Sequence, residues 1–72
     1  MKKEALELVR RIFHSLKYDI PHNDLEDIFI GAKTQAKMFC DLVSEENKER
    51  KEKYDLLKSE IEKITFNNVY NG

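Results

Sequence analysis

Cysteine, proline and glycine are all scarce in this 72-residue chain, which has one Cys, one Pro and two Gly. A single cysteine excludes an intrachain disulfide and the paired-cysteine zinc motifs. So few turn-forming residues argue against an all-β chain of short strands. The chain therefore belongs to the small helical class, and at this length a single core is marginal unless oligomerisation adds to it.

An excess of charge of either sign is also lacking, because 13 Lys and Arg residues face 14 Asp and Glu residues. This balance gives no electrostatic attraction to nucleic acid or to an anionic membrane. No apolar run is long enough for a membrane span or for the core of a signal peptide. Together with the lone cysteine, these features predict a cytoplasmic protein without a membrane-embedded segment.

What the chain has instead is helical periodicity. The spacing predicts a first helix over about 2–17, a short connection over 18–22 and a second helix that begins near Asn23. Asn23 and Glu26 have the spacing of a capping box. Apolar residues of the second helix cover an arc of roughly 160°, which favours contact with two neighbours at once, and Phe29 and Phe39 are predicted to lie in the core.

The extent of the second helix is the main structural alternative. Residues 44–53 contain no apolar side chain, and a seam resumes with Tyr54, Leu57, Ile61 and Ile64 at coiled-coil spacing. A straight helix would keep this seam on the face used by the preceding apolar residues, because five turns separate the matching positions. We therefore favour one long helix over about 23–64. A break near Ser44 would give a three-helix bundle instead. The tail over 65–72 is predicted to fray, and the alternative is that Phe66, Val69 and Tyr70 anchor it to a partner.

The long-helix model predicts an interface. The first helix is too short to reach Tyr54, Leu57, Ile61 and Ile64, so these four side chains would be exposed unless another molecule covered them. We expect two or more copies to bury them in an oligomeric helical bundle.

Metal chemistry is weakly indicated. Asp19, His22 and Asp24 flank the connection, and His14 lies one turn upstream; carboxylate and imidazole groups can bind zinc. The chain has no HExxH, paired CxxC or EF-hand spacing. The acidic residues are better explained as turn and cap residues, so no metal site is predicted.

Catalysis and cofactor binding have no better support. Cys40 lies at the margin of the apolar arc, where a free cysteine behaves as a small hydrophobe. A chain of this size also offers little material for a substrate pocket. We predict no catalytic residue, no cofactor and no small-molecule substrate.

Cationic residues provide the basis for a DNA-binding alternative. Arg10 and Arg11 are adjacent, Lys33 and Lys37 share a face, and further cations lie at Lys48, Arg50, Lys51 and Lys53. Interleaved acidic residues cancel the field that a phosphate backbone would meet.

The sequence therefore predicts an all-α, non-enzymatic interaction module that binds itself and another protein, as a regulator, inhibitor or assembly factor. A DNA-binding transcriptional regulator is the alternative, and a small metal-dependent enzyme is a remote one.

Overall fold

The computed structural model of the protein describes residues 1–19 and 24–70. Within these ranges every regular element is a helix, which confirms the all-α class. The helices are α1 (Lys2–Asp19), α2 (Leu25–Glu46), α3 (Lys51–Glu62) and α4 (Phe66–Tyr70), and one 3-10 turn, Lys48–Arg50, precedes α3. Residues 20–22 of the predicted connection, and Asn23, lie outside the described residues.

Asp24 caps the N-terminus of α2. Its backbone is extended (φ −60°, ψ 134°), and its carboxylate accepts a hydrogen bond of 2.8 Å from the backbone N–H of Glu26. The carboxylate thus satisfies one of the free donors of the first turn and lies at the positive end of the helix dipole.

The predicted continuous helix over 23–64 is wrong, because the chain turns at Asn47. This residue is extended (φ −138°, ψ 101°), and its N–H still donates to the carbonyl of Val43 while its side chain accepts from the N–H of Glu49 at 3.0 Å. Asn47 therefore ends α2 and begins the following turn, using the local hydrogen bonds by which asparagine competes with a continuing helix. The architecture is nearer to the three-helix alternative, with the break three residues beyond Ser44.

Helices α2 and α3 lie antiparallel. Lys37 Nζ is 2.7 Å from Glu62 Oε1, and Lys58 Nζ is 2.8 Å from Asp41 Oδ1, so contacts move back along α3 as they move forward along α2. The two apolar stripes that share one phase in the sequence therefore face each other across the hairpin. Helix α1 packs against both α2 and α3.

The core is formed by one apolar cluster to which all four helices contribute. Val9, Phe13 and Ile61 are at most 1% exposed. Burying these side chains stabilises the fold, because each fully buried large apolar side chain contributes about 1.5–3 kcal/mol. The buried members are Ala5, Val9, Phe13, Ile28, Phe29, Ala32, Ala36, Cys40, Leu57, Ile61, Ile64 and Val69.

The tail predicted to fray over 65–72 instead contains α4. Thr65 caps this helix reciprocally with Asn68: the Thr65 N–H donates to Asn68 Oδ1 at 2.9 Å, and the Asn68 N–H donates to Thr65 Oγ1 at 3.4 Å. The turn before α4 has a packing reason. At about 100° per residue, a straight extension of α3 would place Phe66 and Tyr70 opposite the core-facing Leu57, whereas the turn lets Phe66 pack inward.

Candidate interaction surface

The predicted interface residues do not form an exposed seam. Leu57 is 6%, Ile61 0% and Ile64 6% exposed, and Tyr54 is half-buried. The turn at Asn47 brings these side chains into the core of their own chain. The sequence-based argument for an intermolecular interface at these four residues assumed that they are exposed, and that assumption does not hold.

A different apolar surface is exposed on the C-terminal half of α2. Met38 is 58%, Phe39 45% and Leu42 56% exposed. Leu42 is four residues beyond Met38 and three beyond Phe39, so the three side chains are neighbours on one face of the helix. We call these three residues the distal patch.

The distal patch adjoins α3 through an aromatic pair. The rings of Phe39 and Tyr54 meet edge to face, with centroids 6.1 Å apart and an interplanar angle of 71°. Tyr54, a member of the predicted interface, thus contacts this exposed surface. Lys53 Nζ lies 6.0 Å from the centroid of the Tyr54 ring, which places a cation at the edge of the apolar surface.

The prediction that Phe29 and Phe39 both lie in the core is half right. Phe29 is 8% exposed and buried, but Phe39 is not. The sequence feature that points to the distal patch is the breadth of the apolar arc on α2. That arc is wider than α1 and α3 cover together, so its edge remains exposed towards the end of the helix.

The cations of α2 are directed at α3. Lys33 Nζ donates to the carbonyls of Glu62 and Ile64, each at 3.0 Å, and lies 5.6 Å from the centroid of the Phe29 ring. A hydrogen bond from Lys37 lowers the pKa of the Glu62 carboxyl, because it favours the charged form. Both lysines thus stabilise the hairpin, which leaves less positive charge available to contact phosphates.

An open groove of about 540 Å³ lies between the end of α2 and the start of α3. Ion pairs join Lys51 to Asp55 at 3.1 Å and Lys58 to Asp41 at 2.8 Å beside it. Ser44 Oγ is buried in this region and has no hydrogen-bond partner among the described residues. Charges of both signs therefore pair with each other along the groove, and within residues 1–19 and 24–70 no base orients the hydroxyl as a nucleophile.

Cys40 and the side chains considered as metal ligands are the remaining residues that the sequence offered for chemistry. Cys40 is 1% exposed, and burial, with a smaller contribution from Asp41, raises the pKa of its thiol. An activated cysteine requires the opposite shift. His14, Asp19 and Asp24 are exposed, His22 lies outside the described ranges, and no group of three potential metal ligands occurs within them.

Neither a protein-family model, nor a curated protein, nor a solved structure matches the chain. In the part of the chain that the structure describes, no helix combines the length and the apolar character needed to cross a membrane.

Proposed function

We propose that the protein is a non-enzymatic cytoplasmic interaction module that forms a homodimer or larger homo-oligomer through the distal patch and, in that form, regulates, inhibits or assembles another protein. The observation that carries the proposal is the exposure of Met38, Phe39 and Leu42 as neighbours on one helix face. Contiguous exposed apolar side chains are typical of protein–protein contact surfaces, whereas isolated ones are ordinary surface residues.

The size of the patch sets the expected affinity. Each of the three side chains is roughly half exposed, so complete burial of each contributes about 1 kcal/mol beyond what the fold already supplies. In a twofold-symmetric pair the patch is buried on both copies, which doubles the contribution to about 6 kcal/mol. A gain of about 6 kcal/mol corresponds to a Kd of about 40 μM before the cost of association is subtracted, so the contact is weak and self-association is expected only towards the upper end of the range between about 40 μM and 1 mM.

A second copy of the chain fits this surface, because a twofold-symmetric contact places the distal patch of one copy against the distal patch of the other, and both are apolar. Phe39 supplies a large aromatic side chain, and Tyr54 flanks it with a ring that is already held in place. Rigid aromatic groups at the centre of a contact supply much of the binding energy in protein interfaces.

The chain provides a matched control on the same helix. Ile30 is 60% and Leu42 56% exposed, but Ile30 lies in the polar sector of α2, away from the distal patch. Leu42→Glu and Ile30→Glu therefore introduce the same charge at equally exposed positions of one helix.

Sedimentation velocity from about 10 μM to 1 mM tests the proposal. The wild type and Ile30→Glu should increase in mean mass with concentration, and Leu42→Glu should remain monomeric. A wild type that stays monomeric throughout this range, or two variants that associate equally, would contradict a contact through the distal patch.

A further inference from the structure

Helix α4 lies on an aromatic surface formed by α1 and α2. The Phe66 ring meets Phe13 edge to face at a centroid distance of 6.4 Å and Phe29 at 5.8 Å. Val69, one turn later, is 2% exposed. We call residues 65–70 the clasp, and the surface around Phe13 and Phe29 that it covers the aromatic groove.

The clasp is attached by few contacts. Its helix has five residues, far fewer than an isolated helix needs to be stable in water. Arg10 Nη2 donates to the Asn68 carbonyl at 3.3 Å, while the Nε of the same guanidinium is buried without a partner among the described residues. Tyr70 stacks on Phe66 at 5.3 Å but remains 53% exposed. Short elements that are attached by few contacts open at a lower free energy than the core helices of a fold.

Lys33 holds the chain in its bent form at the start of the clasp. In an uninterrupted helix the carbonyls of Glu62 and Ile64 would accept from the N–H groups of residues 66 and 68. The Lys33 ammonium bonds to these same two carbonyls. It therefore occupies the acceptors that a straight extension of α3 would use, and such an extension would turn Phe66 away from the aromatic groove.

We propose that residues 65–70 form a releasable clasp and that the aromatic groove, once open, binds the same segment of a second copy of the chain. The resident segment displays the chemistry that the groove accepts: an aromatic residue at Phe66, an aliphatic one at Val69 and an aromatic one at Tyr70. This i, i+3, i+4 arrangement is the pattern by which a short amphipathic helix occupies a groove. The inference does not depend on the distal patch.

The test is an NMR titration of the full chain with a synthetic peptide of residues 64–72. The tethered clasp competes with the free peptide at an effective concentration in the millimolar range. The apparent affinity for the free peptide is therefore reduced in proportion to the fraction of molecules whose clasp is open. Phe66→Ala should therefore show saturable amide shifts around Phe13 and Phe29 with an apparent Kd at least tenfold lower than that of the wild type. Tyr18→Ala, which removes an exposed aromatic elsewhere on α1, should behave as the wild type. All chains carry Leu42→Glu, which separates this binding from association through the distal patch.

Two results would overturn the proposal: a helical Phe66→Ala chain with no shifts in the aromatic groove at millimolar peptide, or equal binding by this variant and the wild type. If Phe66→Ala does not fold, Lys33→Met tests the same proposal, because it removes the hydrogen bonds to the carbonyls of Glu62 and Ile64 and leaves the aromatic residues in place. In that variant the amides of Val69 and Tyr70 should exchange faster relative to Ile61, and the peptide should bind more tightly. Unchanged exchange and unchanged peptide binding would contradict a releasable clasp.

Discussion

Replacing Lys33 by methionine is expected to destabilise the protein more than any other substitution of a single surface lysine. Methionine retains most of the unbranched stem but removes the ammonium. The change therefore deletes the hydrogen bonds to the carbonyls of Glu62 and Ile64 and the contact with the Phe29 ring. Those carbonyls are at the C-terminal end of α3, where no following turn of the helix supplies a donor.

The magnitude follows from the exposure of these contacts. A hydrogen bond to a charged donor contributes about 1.5–3 kcal/mol when buried. Lys33 is half-buried and shares one ammonium between its two bonds, so solvent screening reduces the total to about 1–2.5 kcal/mol with the cation–π contact included. In a domain of this length each kcal/mol lowers the Tm by roughly 4–8 °C.

Lys37→Met is the matched control, because Lys37 is one turn along the same helix and forms an ion pair with the Glu62 side chain at 2.7 Å. An exposed pair of this kind contributes less than about 1 kcal/mol. Urea unfolding followed by circular dichroism should give a larger fall in midpoint for Lys33→Met than for Lys37→Met, with the same denaturant dependence. Equal destabilisation would refute the assignment of Lys33 as the group that caps α3.

Three further predictions concern the core, the pH dependence and the thiol. Ile61→Ala should lower the free energy of unfolding by about 2–5 kcal/mol, whereas Leu56→Ala, at a site that is 55% exposed, should change it by less than about 0.5 kcal/mol in the same urea titration; similar losses would contradict the fold. Because the pKa of Glu62 is lowered in the folded state, its contribution is present above the unfolded-state pKa and is lost as the pH falls through the folded-state pKa. Glu62→Gln should therefore be less stable than the wild type at neutral pH and equal to it in acid, and a difference that persists in acid would argue against the pairing. Cys40 should react with an aromatic disulfide reagent only at the rate at which the chain opens, and reaction as fast as that of a free thiol would contradict its burial.

The amphipathic pattern predicts the helices well and their ends less well. The first predicted helix, 2–17, differs from α1 by two residues, because apolar spacing and the basic last turn define it locally. The break at Asn47 was missed because the surrounding sequence has no glycine or proline. A single asparagine ended the helix there, since folding back lets Leu57 and Ile61 be buried by the same chain. That balance is a tertiary effect, which helical periodicity does not contain.

The exposed surface was harder to predict for a related reason. The breadth of the arc on α2 indicated two packing partners, and both turned out to belong to the same chain. Which part of the arc remains exposed depends on the position of α1 and α3 along α2, so Phe39 could not be separated from Phe29 by pattern alone. The helix in the clasp was missed because its apolar residues, Phe66 and Val69, do not continue the apolar periodicity of α3. In a sequence, such a change of periodicity cannot be distinguished from the end of a helix.

The chain reversal at Asn47 is the central claim, because it decides which apolar residues are buried and which are exposed. The most direct test is a spin-label distance between Thr34 and Lys63 in a Cys40→Ala chain, diluted with unlabelled protein. Lys33 Nζ and the Ile64 carbonyl, next to the two labelled sites, are 3.0 Å apart, so the labels should lie about 20 Å apart or less, as on adjacent packed helices. One uninterrupted helix would separate them by about 44 Å, and that result would contradict the reversal and return Leu57, Ile61 and Ile64 to the surface.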